Sequence, residues 1–173
     1  MAFIKKVDKT EPIRKKSIDD FYLDAKNKGI NPFDIFKYVD SFDDIDISYM
    51  DLGDNSGKIE FKDGIYMITI NKYHSDNRQR FTLAHEFGHY ILHKNFLKNS
   101  SITDGALFRK DYTNDEKEYE ANEFAAKLLM PENKFRQAIE DGCDTINKLA
   151  EYFKVSSSAV KYRAYKLGLI RNY

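Results

Sequence analysis

Two histidines four residues apart, with a glutamate beside the first, have the types and spacing for chemistry: His85-Glu86-Phe87-Gly88-His89. On an α-helix, positions i and i+4 lie one turn apart on the same face. Two imidazoles so placed can bind one metal ion, and Zn2+ is the usual one. Glu86 falls on the flank of that face, where it can take a proton from a metal-bound water instead of ligating. The competing reading is a chance arrangement on an ordinary helix. Against it, the chain holds 4 His, and His85, His89 and His93 share one short stretch.

A catalytic zinc needs three protein ligands and one open position. His93 continues the same helix, about 6 Å further along the axis than His89 at 1.5 Å per residue. No glycine follows His89 to reverse the chain. His93 is therefore rejected as the third ligand and expected at the helix C-terminus, where a cation is mildly favoured. The segment from Glu118 to Pro131 is a better source. Its apolar face is Ala121, Phe124, Ala125, Leu128 and Leu129. At 100° per residue, Glu118 lies about 60° from the centre of that face and Glu120 about 100° away. Glu118 is the acid better aimed inward, and the competing reading leaves both as solvated charges. Asn122, one turn later, can orient a ligand histidine. Gly88 costs about 1 kcal/mol against Ala in a helix interior, which points to close approach by another backbone. The small Ala121, Ala125 and Ala126 suit such an approach.

The elements that must position these residues are legible in outline. A helix is predicted over 17–28, capped by Ser17 with Asp20 three residues on and stopped by Gly29. A second is predicted over 32–41, with Pro32 in its first turn. Strand signals follow around Ile45 and Ile47, and residues 51–58 are turn-like. Ile59–Lys62 and Ile65–Ile70 flank Asp63-Gly64, a strong short hairpin signal. Helices are predicted over 78–94, carrying the motif, and over 115–130, with a polar, irregular stretch over 95–114. A further helical stretch starts at Pro131.

The last thirty residues read as helix–turn–helix: 144–153, a break at Lys154-Val155-Ser156, then 157–167, with Ser156 or Ser157 as cap. Residues 144–173 hold six Lys/Arg against two acids. Lys161, Arg163 and Lys166 are the candidates for phosphate contacts. Tyr162 and Tyr165 crowd that helix, so packing on the core, or docking of a partner protein, is favoured over DNA binding.

Composition narrows the setting. The 173 residues carry 28 Lys+Arg and 28 Asp+Glu, so net charge argues for neither nucleic acid nor a membrane surface. Cys143 alone cannot form an internal disulfide. Met1–Lys16 lacks the apolar stretch of a signal peptide. No run approaches the ~18 apolar residues of a membrane span. A cytoplasmic protein is expected.

Two blocks in order, Arg80-Phe-Thr-Leu-Ala-His-Glu-Phe-Gly-His-Tyr-Ile-Leu-His93 and Glu118-x-x-Ala-Asn-x-Phe-Ala-Ala-x-Leu-Leu-Met-Pro131, resemble the ImmA/IrrE family of metallopeptidases. The resemblance runs from about residue 20 to 170. It implies an α+β, zincin-like fold, rich in helix, with a small mostly antiparallel sheet and a C-terminal helix-turn-helix-like unit. It implies zinc held by His85, His89 and Glu118, with Glu86 as general base. It also implies a helix-turn-helix transcriptional repressor as the substrate, cut to release its genes. The expected organisation is a charged lead-in over 1–16, a peptidase domain over 17–135 and the C-terminal unit over 136–173. The strand Ile65–Ile70 is expected to offer an edge to an extended substrate. Tyr112, Tyr119 and His74 are candidate oxyanion donors, with none preferred. Two other readings stay open: a regulator-binding module without turnover, and a DNA-binding regulator with a structural zinc.

Overall fold

The computed structural model describes residues 16–100 and 112–172. The charged lead-in lies almost wholly outside the described residues, as does most of the polar segment after residue 100.

Helix α1 (Ile18–Asn27) starts as the sequence suggests. Ser17 Oγ accepts from the Asp20 N–H, and Asp20 reaches back to the Ser17 N–H. Helix α2 (Ile35–Asp40) starts later than predicted. The Asp34 carboxylate accepts from the Phe36 and Lys37 N–H groups at 3.0 and 3.3 Å, so the cap falls there and Pro32 lies outside the helix.

The sheet comprises β1 (Ile45–Met50), β2 (Gly57–Lys62) and β3 (Ile65–Asn71), in the order β1-β3-β2. The β2–β3 hairpin turns at Asp63-Gly64, both at positive φ (52° and 89°), as a tight two-residue turn requires. β1 pairs with β3 in parallel, Ile45 opposite Tyr66. The sheet is thus mixed, with one ladder of each kind, where a mostly antiparallel one was expected. β3 is its central strand, so the expectation that Ile65–Ile70 offers a free edge is corrected. Both its ladders are filled, and the edges belong to β1 and β2. Its side chains Tyr66, Ile68, Thr69, Ile70 and Asn71 are buried, as befits a strand covered on both faces.

Helix α3 (Asp76–Leu92), the motif helix, packs on β2 and β3, and α5 (Tyr112–Leu129) packs along α3. Phe87 points from the motif into an aromatic cluster. Its ring meets those of Phe21, Tyr38, Phe42, Tyr90 and Phe124 at centroid distances of 5.4–6.2 Å, mostly edge to face or tilted. Each such ring buried contributes roughly 1.5–3 kcal/mol, so the motif helix is anchored on the side away from its histidines. Helix α4 (Lys94–Ser100) occupies part of the stretch predicted irregular. Its Leu97 is buried and its packing partner is β2, so tertiary burial outweighs a polar local sequence.

The chain closes with α6 (Glu132–Glu140), α7 (Ile146–Phe153) and α8 (Ser157–Lys166). Lys154 adopts the left-handed conformation at the end of α7. Ser156 caps α8 by accepting from the Ala159 N–H at 3.1 Å. These helices lie against the core. Phe135 and Phe153 stack at 5.5 Å, and Asn77 donates to the Val155 carbonyl. Arg163 is 6% exposed, and its Nε–H donates to the Met130 carbonyl at 2.9 Å. Of the three cations considered for phosphate contacts, Arg163 is therefore inside the protein. Lys166 donates to the Tyr119 hydroxyl at 2.6 Å, and Lys161 is exposed.

Candidate metal centre

His85 and His89 leave α3 on one face, one turn apart, and α5 brings Glu118 to them. The close approach of the two helices depends on Gly88. A Cβ built there would lie 3.1 Å from Phe124 Cδ1 and 3.2 Å from both the Ala121 Cα and carbonyl oxygen. The backbone contact inferred from this glycine is thus the α5 backbone at Ala121. With Gly88 and Ala121 in register, Glu118 sits one turn earlier on α5, beside the histidines.

Ligand atoms of three residues converge. His85 Nε2 and His89 Nε2 are 3.1 Å apart. Glu118 Oε2 is 3.1 Å from the first and Oε1 3.2 Å from the second. Four donors at about 2.0–2.1 Å around a tetrahedral ion stand roughly 3.3 Å from one another. The nitrogen pair and the two nitrogen–oxygen contacts, one to each carboxylate oxygen, are near that spacing, and two nitrogens with one carboxylate form a donor set suited to a divalent ion. The residues present therefore fit a metal ion. Among the described residues, these three form the cluster of metal-ligating side chains.

The far nitrogen of each histidine is held as well. Asn122, one turn along α5 from Glu118, accepts from His85 Nδ1 through its Oδ1 at 3.0 Å. This proton position leaves a lone pair on His85 Nε2, the nitrogen that faces the ligand cluster. His89 Nδ1 lies 3.0 Å from His93 Nδ1, and His93 Nε2 lies 2.9 Å from Glu120 Oε2. One proton arrangement satisfies the whole chain: His89 Nδ1–H donates to His93, and His93 Nε2–H donates to Glu120. His93 is the C-cap residue of α3, at the helix C-terminus as expected, and is 7% exposed. Its role differs from the expected favourable placement at a helix end. It connects a cluster histidine to Glu120, the acid that helix angle had turned aside. Nothing in residue spacing reports the direction of an imidazole Nδ1, so the sequence reading missed both.

Electrostatics follow from burial and these pairings. Burial disfavours the charged form of His85, but Glu118, Glu86 and Asn122 outweigh it and raise its pKa. Burial prevails at His89, whose pKa is lowered despite Glu118. Contact with the two histidines, when their Nε2 atoms carry the protons that a metal ion would displace, holds the Glu118 carboxyl well below the usual carboxylate range. Glu86, 6% exposed, is pushed up to about 7 chiefly by burial, with the Glu118 charge adding to the rise and His85 opposing it. A buried carboxyl titrating near neutrality beside a ligand cluster is suited to accept and return protons.

Gly57, at the start of β2, is a further site residue that the sequence reading left in a turn. A Cβ there would run into Thr82 Cγ2 and stand 3.1 Å from the Thr69 carbonyl and 3.2 Å from Glu86 Oε1. A glycine inside a strand signals such close approach. The edge strand β2 therefore passes directly over Glu86. Of the oxyanion candidates, Tyr119 is 50% exposed with its hydroxyl accepting from Lys166. His74 follows β3, with Nδ1 buried and no partner among the described residues. The Tyr112 side chain lies outside the described residues.

Comparison with known proteins agrees with this geometry. Residues 43–165 match the IrrE N-terminal-like domain family of peptidases. The chain is 29% identical over 126 residues to the metallopeptidase ImmA of Bacillus subtilis, covering 70% of each chain. It is 35% identical over 121 residues to the radiation response metalloprotease IrrE of Deinococcus radiodurans, covering 68% of this chain and 36% of that one. A solved Mycobacterium tuberculosis transcriptional regulator shares the fold, with a TM-score of 0.56 at 16% identity over 84% of this chain and 49% of that chain. The chain thus spans about a third of IrrE and about half of the solved structure. Among the described residues, no helix is long and apolar enough to cross a membrane. Sequence match and the convergence of His85, His89 and Glu118 lead to one conclusion: this chain belongs to the ImmA/IrrE family of metallopeptidases.

Proposed function

We propose that this chain is a zinc-dependent endopeptidase, acting in the cytoplasm, whose substrate is a helix-turn-helix transcriptional repressor. The observation that carries the catalytic part is the convergence of His85 Nε2, His89 Nε2 and the two Glu118 carboxylate oxygens, with contacts of 3.1–3.2 Å, and Glu86 buried beside them. His85, His89 and Glu118 would hold the ion. When bound, zinc supplies Lewis acidity that lowers the pKa of water and polarises a peptide carbonyl.

The remaining steps belong to the protein. Glu86 accepts the proton of the attacking water as its oxygen bonds to the peptide carbon. It then returns that proton to the amide nitrogen as the C–N bond breaks, leaving a carboxylic acid and an amine, which end as carboxylate and ammonium once the acid's proton passes to the amine. Asn122 and the His93–Glu120 pair keep the two imidazoles turned so that Nε2 of each faces the Glu118 carboxylate, where an ion would be held. The edge strand β2, rather than β3, is where an extended substrate can pair near Glu86.

The repressor as substrate rests on the family likeness. The burial of Arg163 and the tie of Lys166 to Tyr119 support a core-packing role for the C-terminal unit over DNA binding. The test is incubation of the chain with a helix-turn-helix repressor, taken from a neighbouring gene where one lies there. Cleavage that a chelator stops and added zinc restores supports the proposal. An intact repressor that stays bound favours a regulator-binding module instead. Salt-dependent, sequence-selective DNA binding by the chain alone would favour the regulator reading.

A further inference from the structure

A cleft of about 530 Å³ opens beside the metal centre, between α5 and the first turns of α8. Glu118 and Asn122 belong both to the centre and to the wall of this cleft. Phe81 of α3, Tyr119 of α5, and Ala159 and Tyr162 of α8 supply most of the remaining surface, and it is mainly apolar. The two tyrosines are fixed from outside. The Tyr162 hydroxyl donates to Glu123, and the Tyr119 hydroxyl accepts from Lys166. The Lys166 ammonium also stands 4.7 and 5.5 Å from the two ring centroids. With those hydroxyls engaged, the rings offer carbon surface to the cleft.

We propose that this cleft is a substrate subsite for a bulky apolar side chain, aromatic or large aliphatic, within two residues of the bond being cut. The helix-turn-helix-like unit thereby serves the peptidase as the outer wall of its specificity site. This rests on the peptidase reading above and deepens it. Continuity with Glu118 places anything bound in the cleft next to the metal centre. The volume lies in the ~300–1,000 Å³ range of ligand sites, enough for a large side chain and adjoining backbone. The ring faces and Ala159 favour apolar groups. An acidic side chain would meet Asp115 and Glu118, both of which line the cleft.

The test uses the zinc-loaded full chain and a mixture of acetylated, amidated decapeptides, with cut sites read by mass spectrometry. One position within two residues of the cut is expected to be enriched in Phe, Tyr, Leu and Met. Ala159→Phe, which fills the cleft, should shift that position toward Gly, Ala and Ser by about tenfold or more. Its zinc affinity, measured by chelator competition, should stay unchanged. No enrichment, or one that both Ala159→Phe and Tyr119→Ala leave intact, overturns the subsite while the peptidase reading stands.

A second arm follows the Ala159 methyl signal by NMR in the Glu86→Gln protein, with hexapeptides centred on Phe or on Ala. A shift with the Phe peptide alone supports the subsite. If it occurs while the wild-type chain cuts nothing, the peptidase reading fails and the cleft's ligand class survives. No shift with either peptide overturns the subsite.

Discussion

Helix α5 serves two neighbours, and the two sides are built differently. Toward α3 it offers Ala121 against Gly88, backbone nearly on backbone, with Phe124 reaching the aromatic cluster around Phe87. Toward α8 it offers Tyr119 and Glu123, which meet Lys166 and Tyr162 through side-chain ends. The first contact admits no displacement without a clash, and the second is made of exposed or half-exposed polar atoms. A metal site needs its ligands fixed to within a few tenths of an ångström, and the tight contact between α3 and α5 is what holds Glu118, the candidate ligand from α5, beside His85 and His89. The looser side lines a cleft, where a change of side chain alters what fits without moving the ligands.

The largest expected effect is on the tight side. Phe87→Ala removes a ring from the centre of the aromatic cluster and should cost about 3–5 kcal/mol in urea unfolding. A cost below about 1 kcal/mol would mean that the cluster does not anchor the motif helix. Next comes the pH dependence of the metal-free protein. The Glu86 carboxyl rises from 4.5 to about 7 on folding. A carboxyl with a raised folded pKa keeps a proton that the unfolded chain has lost, so stability falls as pH rises from 4.5 to about 7 and levels off above. At 1.36 kcal/mol per pH unit, the loss is roughly 3 kcal/mol at most. Glu86→Gln should therefore unfold later than the wild type at pH 8, and the two should converge near pH 4. Parallel curves at both pH values would contradict the buried carboxyl.

The support of His89 gives a smaller effect. His93→Phe leaves His89 Nδ1–H without its acceptor and should weaken metal binding by about 10–100-fold in chelator competition. Unchanged affinity would separate the His93–Glu120 pair from the metal centre. The smallest effect is expected on the loose side. Lys166→Met removes exposed contacts to Tyr119 and Glu123, and should leave the urea midpoint close to that of the wild type. Metal affinity should not move. A loss as large as that of His93→Phe would erase the contrast between the two sides of α5.

The same contrast explains what was legible in the sequence. Helical periodicity fixes faces, so His85 and His89 on one side and the use of Gly88 for close approach could be read from spacing; spacing only preferred Glu118 to Glu120, and it is the packing of α5 on α3 that brings Glu118 to the histidines. The Asp63-Gly64 hairpin and the Ser17 cap are local chemistry and were equally visible. The parallel β1–β3 ladder joins strands that are not consecutive, and nothing local reports it; β3 was therefore given an edge that β1 in fact fills. Helix α4 was hidden by polar residues because its one decisive feature is the burial of Leu97. The direction of the His89 ring toward His93, and the passage of Gly57 over Glu86, depend on rotamer and tertiary contact rather than on residue spacing.

The most direct measurement is metal content and cleavage in the Glu86→Gln protein side by side. The account expects one zinc per chain, bound as in the wild type, with repressor or peptide cleavage reduced by about 10²–10⁴-fold. Wild-type cleavage by Glu86→Gln, or a wild-type chain that binds no zinc while still cutting, would contradict it.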